Sequence, residues 1–100
     1  MKTIGLDLGT SGCKGVLVSF PSGKVVKSAR RSYRLYAQGN RAEHDPEDWV
    51  RAATAVLREL GPADAIGMDG MMHSEACIGT KDRAILWCDG RSEAECAEIN

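Results

Sequence analysis

The stretch Ile4-Gly5-Leu6-Asp7-Leu8-Gly9-Thr10-Ser11-Gly12-Cys13-Lys14-Gly15-Val16-Leu17-Val18 decides how the rest of the chain is read. Ile4, Leu6 and Leu8 alternate with Thr3, Gly5 and Asp7, the period-two pattern of a half-buried strand. Asp7 falls at the C-terminal end of that strand. Gly9 to Gly12 make a tight turn rich in glycine and hydroxyls, and Lys14 follows it. Val16-Leu17-Val18 then starts a second strand, with Val16 and Val18 on one face and Leu17 on the other. The reading is strand, polar turn, strand.

The turn has the equipment to hold phosphates. Successive backbone N–H groups of Gly9, Thr10, Ser11 and Gly12 can form an anion nest. Thr10 and Ser11 add hydroxyl donors, and Lys14 adds a point charge. Asp7 can hold a magnesium ion through water, since that ion keeps much of its hydration shell. Phosphoryl transfer asks for this kind of charge neutralisation and positioning more than for covalent chemistry. The spacing is not that of a Walker A loop, which needs G-x-x-x-x-G-K-[ST]. The same residues also satisfy a plain β-hairpin with a surface Asp and Lys.

Downstream, Pro21-Ser22-Gly23 reads as a turn. Val25 to about Tyr36 carries Lys27, Arg30, Arg31 and Arg34, which suits an edge strand guarded by charge. Ala37 to Glu43 reads as a polar loop. A helix follows: Asp45 as N-cap, Pro46 in the first helical position, Glu47 and Asp48 in the first turn, and Gly61-Pro62 at the end. Trp49, Ala53, Val56, Leu57 and Leu60 form its apolar stripe and read as core packing. Ala65 to Gly70 is expected to be a buried strand, parallel to one of the first three because a helix precedes it. Ala76 to Gly79 and Ala84 to Trp87 are short apolar runs around a turn at Thr80 to Arg83. A further turn at Asp89 to Ser92 leads into a capped helix start that the chain leaves at Asn100. That stop predicts a piece of a larger protein.

Composition narrows the function classes. The net charge of -1 offers no positive excess for nucleic acid or an anionic membrane. No apolar run approaches the roughly 20 residues of a membrane span. The first strand begins after Met1-Lys2, which leaves no room for a signal peptide and predicts a cytoplasmic protein. Cys13, Cys77, Cys88 and Cys96 show no metal-ligand spacing and read as reduced thiols. Cys13, beside the turn, is expected to be accessible.

Asp7-Leu8-Gly9-Thr10-Ser11 with Lys14 resembles the first phosphate motif of the actin, Hsp70 and sugar kinase superfamily. The element order is similar to that superfamily's ribonuclease H-like mixed sheet, an α/β fold in which an antiparallel three-strand meander precedes a helix and a parallel strand. Four further stretches narrow the likeness: Glu43-His44-Asp45-Pro46-Glu47-Asp48-Trp49, Gly70-Met71-Met72-His73-Ser74, Ala84-Ile85-Leu86-Trp87 and Asp89-Gly90-Arg91. Together they resemble the N-terminal domain of the FGGY carbohydrate kinases across residues 1–100, with the xylulose-phosphorylating members nearest.

The resemblance implies ATP-dependent transfer of a γ-phosphoryl group to a sugar or polyol hydroxyl. It implies ATP and Mg2+ as cofactors, with Asp7 at the metal and Gly9, Thr10, Ser11, Gly12 and Lys14 on the phosphates. Met72, His73 and Trp87 would meet the sugar. Without the resemblance, His73 reads as a structural histidine and Trp87 as core. Asp89 and Arg91 read as a pair bracing their loop. Met71 and Ser74 stand where such kinases carry Gln and Gly, Cys88 stands where they carry Asn, and Asp69 is an added carboxylate. Met-His-Ser is also similar to gluconokinases, so gluconate, or the acceptor of another FGGY sugar or polyol kinase, is the alternative. The family's general base, an Asp, lies later in its chains. The partners implied are a sugar, ATP and the remainder of the kinase, with a homodimer among the assemblies allowed. These 100 residues alone are expected to be inactive. The rival function is a non-catalytic sugar- or nucleotide-binding module on the same fold.

Overall fold

A computed structural model describes residues 1–71, 74 and 83–86. Strand β1 (Lys2–Leu8) pairs antiparallel with β2 (Gly12–Ser19), which pairs with β3 (Lys24–Ser32). Helix α1 (Pro46–Leu60) leads to β6 (Ala65–Gly70), which lies parallel to β1. The sheet order is β3-β2-β1-β6, so the expected meander, helix and parallel strand are all present, with the cationic β3 at an edge. The parallel register is pinned where β6 begins. The Lys2 amide donates to the Asp64 carboxylate and the Asp64 amide donates to the Lys2 carbonyl, each at 2.8 Å.

The helix forms where its caps predict. Asp45 Oδ1 accepts from the Glu47 amide at 3.0 Å, and Gly61, at φ 83°, donates its amide to the Leu57 carbonyl at 3.1 Å. Ala52, Val56 and Leu60 are buried against Ile4, Leu6, Cys13, Leu17 and Ala29, with Ala53 and Leu57 at the margin. Burying a Val or Leu side chain is worth about 1.5–3 kcal/mol, so Val56 and Leu60 dominate the docking of α1. Gly15 is the point of closest approach. A Cβ there would lie 2.5 Å from Val56 Cγ1 and 2.8 Å from Leu60 Cδ1.

Four expectations are corrected. Residues 37–43 are not a loop: β4 (Tyr36–Gln38) and β5 (Arg41–His44) form a hairpin whose turn is Gly39-Asn40, with Gly39 at φ 59°. This shortens β3, which ends at Ser32. Cys13 is not accessible but fully buried, because it shares the helix-facing side of β2 with Gly15 and Leu17. Burial, and then the negative charge of Asp7, push its thiol pKa up, which leaves it inert. Strand β6 is exposed along its whole length, with Ile66 at 53% and Met68 at 66%. Among the described residues, α1 seats chiefly over β2 and β3 and does not cover β6. Trp49 is only half-buried, and its indole serves a polar contact described below.

Of the Ala84 to Trp87 run, Ala84–Ile85 forms β7, antiparallel to β5, and the Leu86 amide donates to the Ala42 carbonyl at 3.0 Å. The expected turn at Thr80 to Arg83, apart from Arg83, lies outside the described residues. So do the Ala76 to Gly79 run, the Asp89 to Ser92 turn with its Asp89–Arg91 pair, and the second helix start.

Candidate phosphate site

The C-terminal end of β1 delivers Asp7, and the start of β2 returns Lys14 directly opposite it. The same register row continues to Arg30 of β3 on one side and Asp69 of β6 on the other. Paired residues of a sheet project to one face, here the face away from α1. Asp7, Lys14, Arg30 and Asp69 are all exposed. A row of two cations and two carboxylates therefore crosses four strands just below the turn. Beneath it, Gly5 and Gly67 sit side by side and leave the floor of a hollow of about 420 Å3 without side chains.

The turn itself is tightly closed. The Gly9 amide donates to the Gly12 carbonyl at 2.9 Å. A Cβ on Gly12 would lie 2.5 Å from the Arg31 carbonyl oxygen, so backbone approaches backbone there with no room for a side chain. Arg30 Nη2 donates to Ser11 Oγ at 3.4 Å, which brings a second cation beside Lys14.

Three aromatic residues that the sequence reading gave no part in the site back the turn from the protein side. Tyr33 donates its hydroxyl to the Gly9 carbonyl and its amide to the Ser11 carbonyl, the latter at 3.4 Å. His44 Nε2 lies 2.9 Å from the Thr10 carbonyl, and Trp49 Nε1 donates to His44 Nδ1 at 3.0 Å. The indole donor fixes Nδ1 as an acceptor, so the proton of the neutral ring is on Nε2 and is donated to Thr10. The rings stack edge to face, with centroids 4.8 Å apart for Tyr33–His44 and 5.8 Å for His44–Trp49. His44 is completely buried, and burial lowers its pKa against the opposing effects of the Thr10 bond and the Asp48 charge. Burial, aided by the charges of Cys13 and Asp7, pushes the Tyr33 pKa up to about 12, so its hydroxyl stays a donor.

The sequence-predicted phosphate residues Asp7, Gly9, Thr10, Ser11, Gly12 and Lys14 are thus brought together at one end of one hairpin. Among the described residues, the Thr10 and Ser11 amides meet no hydrogen-bond acceptor. Two amides without an acceptor, two cations and a carboxylate at the strand end fit a phosphate chain with its magnesium ion. Met72, His73 and Trp87 lie outside the described residues. Beside the turn, Leu8, Trp49, Gly70, Met71 and Ser74 line a second hollow of about 230 Å3, at the C-terminal ends of the parallel strands β1 and β6. Ligands commonly bind beyond the carboxyl ends of parallel strands.

Residues 2–100 match the N-terminal domain of the FGGY family of carbohydrate kinases. The chain belongs to that family. It is 35% identical over 109 residues to the xylulose kinase of Escherichia coli K12, a match covering 93% of this chain and 21% of the relative. The crystal structure of xylulose kinase from Rhodospirillum rubrum superposes with a TM-score of 0.88 at 32% identity, covering 99% of this chain and 23% of that one. Gluconate kinase from Lactobacillus acidophilus gives 0.87 at 26% identity, covering 99% and 22%. The mixed sheet and its helix are those of the sugar kinase, actin-like ATPase fold. The chain spans about a fifth of the length of the curated relatives it matches. Among the described residues, no helix is long and apolar enough to cross a membrane.

Proposed function

We propose that this chain is the N-terminal portion of an ATP-dependent kinase that transfers the γ-phosphoryl group to a hydroxyl of xylulose. The observation that carries the proposal is the placement of Asp7 and Lys14 opposite each other below a turn whose Thr10 and Ser11 amides meet no acceptor among the described residues. Gly9, Thr10, Ser11 and Gly12 would line the phosphates, and Lys14 would neutralise them, with Arg30 as a further cation. Asp7 would hold the metal. When bound, magnesium supplies charge neutralisation on the transferring group. Met72, His73 and Trp87 would form the sugar side, next to the hollow lined by Leu8, Trp49 and Met71. The general base belongs to the remainder of the kinase, which would also close over the substrate and exclude water.

Gluconate is the second reading, favoured by the likeness to gluconate kinase and by Met72-His73-Ser74. Coupled measurement of ADP release by the intact protein with xylulose, gluconate and glycerol tests both. Xylulose should give the highest kcat/KM; a higher value for gluconate would favour the second reading. Binding of ATP and sugar without turnover would mark a non-catalytic module and refute the kinase. Asp7→Ala should lower kcat at least about a hundredfold, the usual scale for one electrostatic group at a transferring centre. Its melting temperature should barely move, because Asp7 is exposed.

A further inference from the structure

We propose that Tyr33 and His44 are positioning residues for the phosphates: by holding the Gly9 and Thr10 carbonyls on the protein side of the turn, they aim the Thr10 and Ser11 amides at the ligand. The inference rests on the nucleotide-binding part of the reading above. A trans peptide unit is planar, with its C=O and the following N–H pointing in opposite directions. Fixing the Gly9 oxygen on the Tyr33 hydroxyl therefore turns the Thr10 N–H outward. Fixing the Thr10 oxygen on His44 Nε2 turns the Ser11 N–H outward. Neither holder is local: Tyr33 is 24 residues from Gly9 and His44 is 34 residues from Thr10. A plain hairpin turn has no need of such clamps, since its ends are already paired by the ladder.

The clamp is itself rigid. His44 is completely buried and is held in the donating tautomer by the Trp49 indole. Preorganised donors cost no reorientation when the anion arrives, which is what makes them effective. Tyr33 and His44 have no contact of their own with the phosphates in this account. They act through the peptide groups of the turn.

The test uses the intact protein with three variants: Tyr33→Phe, His44→Leu and His44→Gln. Dissociation constants are measured for the magnesium complex of AMP-PNP and, by competition, for adenosine, which lacks phosphates. Losing one holder should weaken AMP-PNP about three- to tenfold, the scale of one hydrogen bond, and leave adenosine within about twofold. His44→Gln, whose amide N–H can still reach a carbonyl, should recover most of the affinity lost in His44→Leu. Unchanged AMP-PNP affinity in Tyr33→Phe overturns the inference, as does an equal loss for adenosine or a His44→Gln no better than His44→Leu. If His44→Leu does not fold, Tyr33→Phe decides alone, because it removes one oxygen and keeps the ring. Failure of the unsubstituted protein to bind AMP-PNP would instead sink the nucleotide reading on which the inference stands.

Discussion

Gly15→Ala inserts one methyl group where α1 meets the sheet, and its cost follows from the geometry. The new carbon would lie 2.5 Å from Val56 Cγ1 and 2.8 Å from Leu60 Cδ1. Carbon atoms in contact prefer about 3.5–4.0 Å, so roughly 1 Å of relief is needed at both. Leu60 can change rotamer, but Val56 is β-branched and nearly fixed at χ1 in a helix. The helix must therefore lift or tilt. Overpacking of this kind costs about 1–3 kcal/mol. In a unit of 150–250 residues each kcal/mol moves the melting temperature by about 2–4 °C, so a fall of about 2–12 °C is expected. Thermal unfolding of the intact protein gives the number. Val56→Ala in the Gly15→Ala background should cost about 1 kcal/mol less than the sum of the single changes, because it vacates the clash. A Gly15→Ala protein that melts at or above the parent temperature, or a pair that is strictly additive, would refute the packing argument.

Two further outcomes are expected. His44 is buried with its pKa below the ordinary 6.5, while the unfolded chain binds the proton near that value. Its contribution to stability is therefore complete above about pH 6.5 and declines as the pH falls from there toward the folded-state pKa. Melting temperatures between pH 7.5 and 5 should show the decline, and His44→Gln should flatten it; equal slopes in the two proteins would mean that His44 is not the titrating group. Gly12→Ala sets a Cβ against the Arg31 carbonyl and the Ser32 Cα, backbone atoms that cannot rotate away. It should open the turn and weaken AMP-PNP more than tenfold, the effect of losing more than one oriented donor, whereas an unchanged dissociation constant would show that the turn tolerates widening.

Local chemistry made part of this fold legible. The alternation of Ile4, Leu6 and Leu8, the glycine turn, and the Asp45-Pro46 cap each act within a few residues, and each appears where expected. The nearness of Cys13 to the turn suggests access, but alternation with Gly15 and Leu17 places it inside. The hairpin at Tyr36 to His44 carries its signal in Gly39-Asn40, but its strands are too polar to announce themselves. Strand β6 is exposed in a chain that spans about a fifth of its relatives' length, and no property of Ala65 to Gly70 says which element would cover it. At the candidate site, the acid, the turn and the lysine were visible because they are contiguous. Arg30 required the β2–β3 register. His44 and Tyr33 required contacts across 34 and 24 residues, and the Glu43 to Trp49 stretch marked the family without revealing what its histidine holds.

The four-residue strand β5 bears on the precision of the proposed reaction. His44, at its end, steadies the Thr10 carbonyl, while β7, paired along its edge, leads into Leu86, the residue before Trp87. If Trp87 meets the sugar as proposed, donor and acceptor sides of the transfer would be gauged from one common datum. The tolerance between phosphorus and sugar hydroxyl would then be set by the stiffness of a short ladder, and errors in the long intervening segment would not accumulate into it.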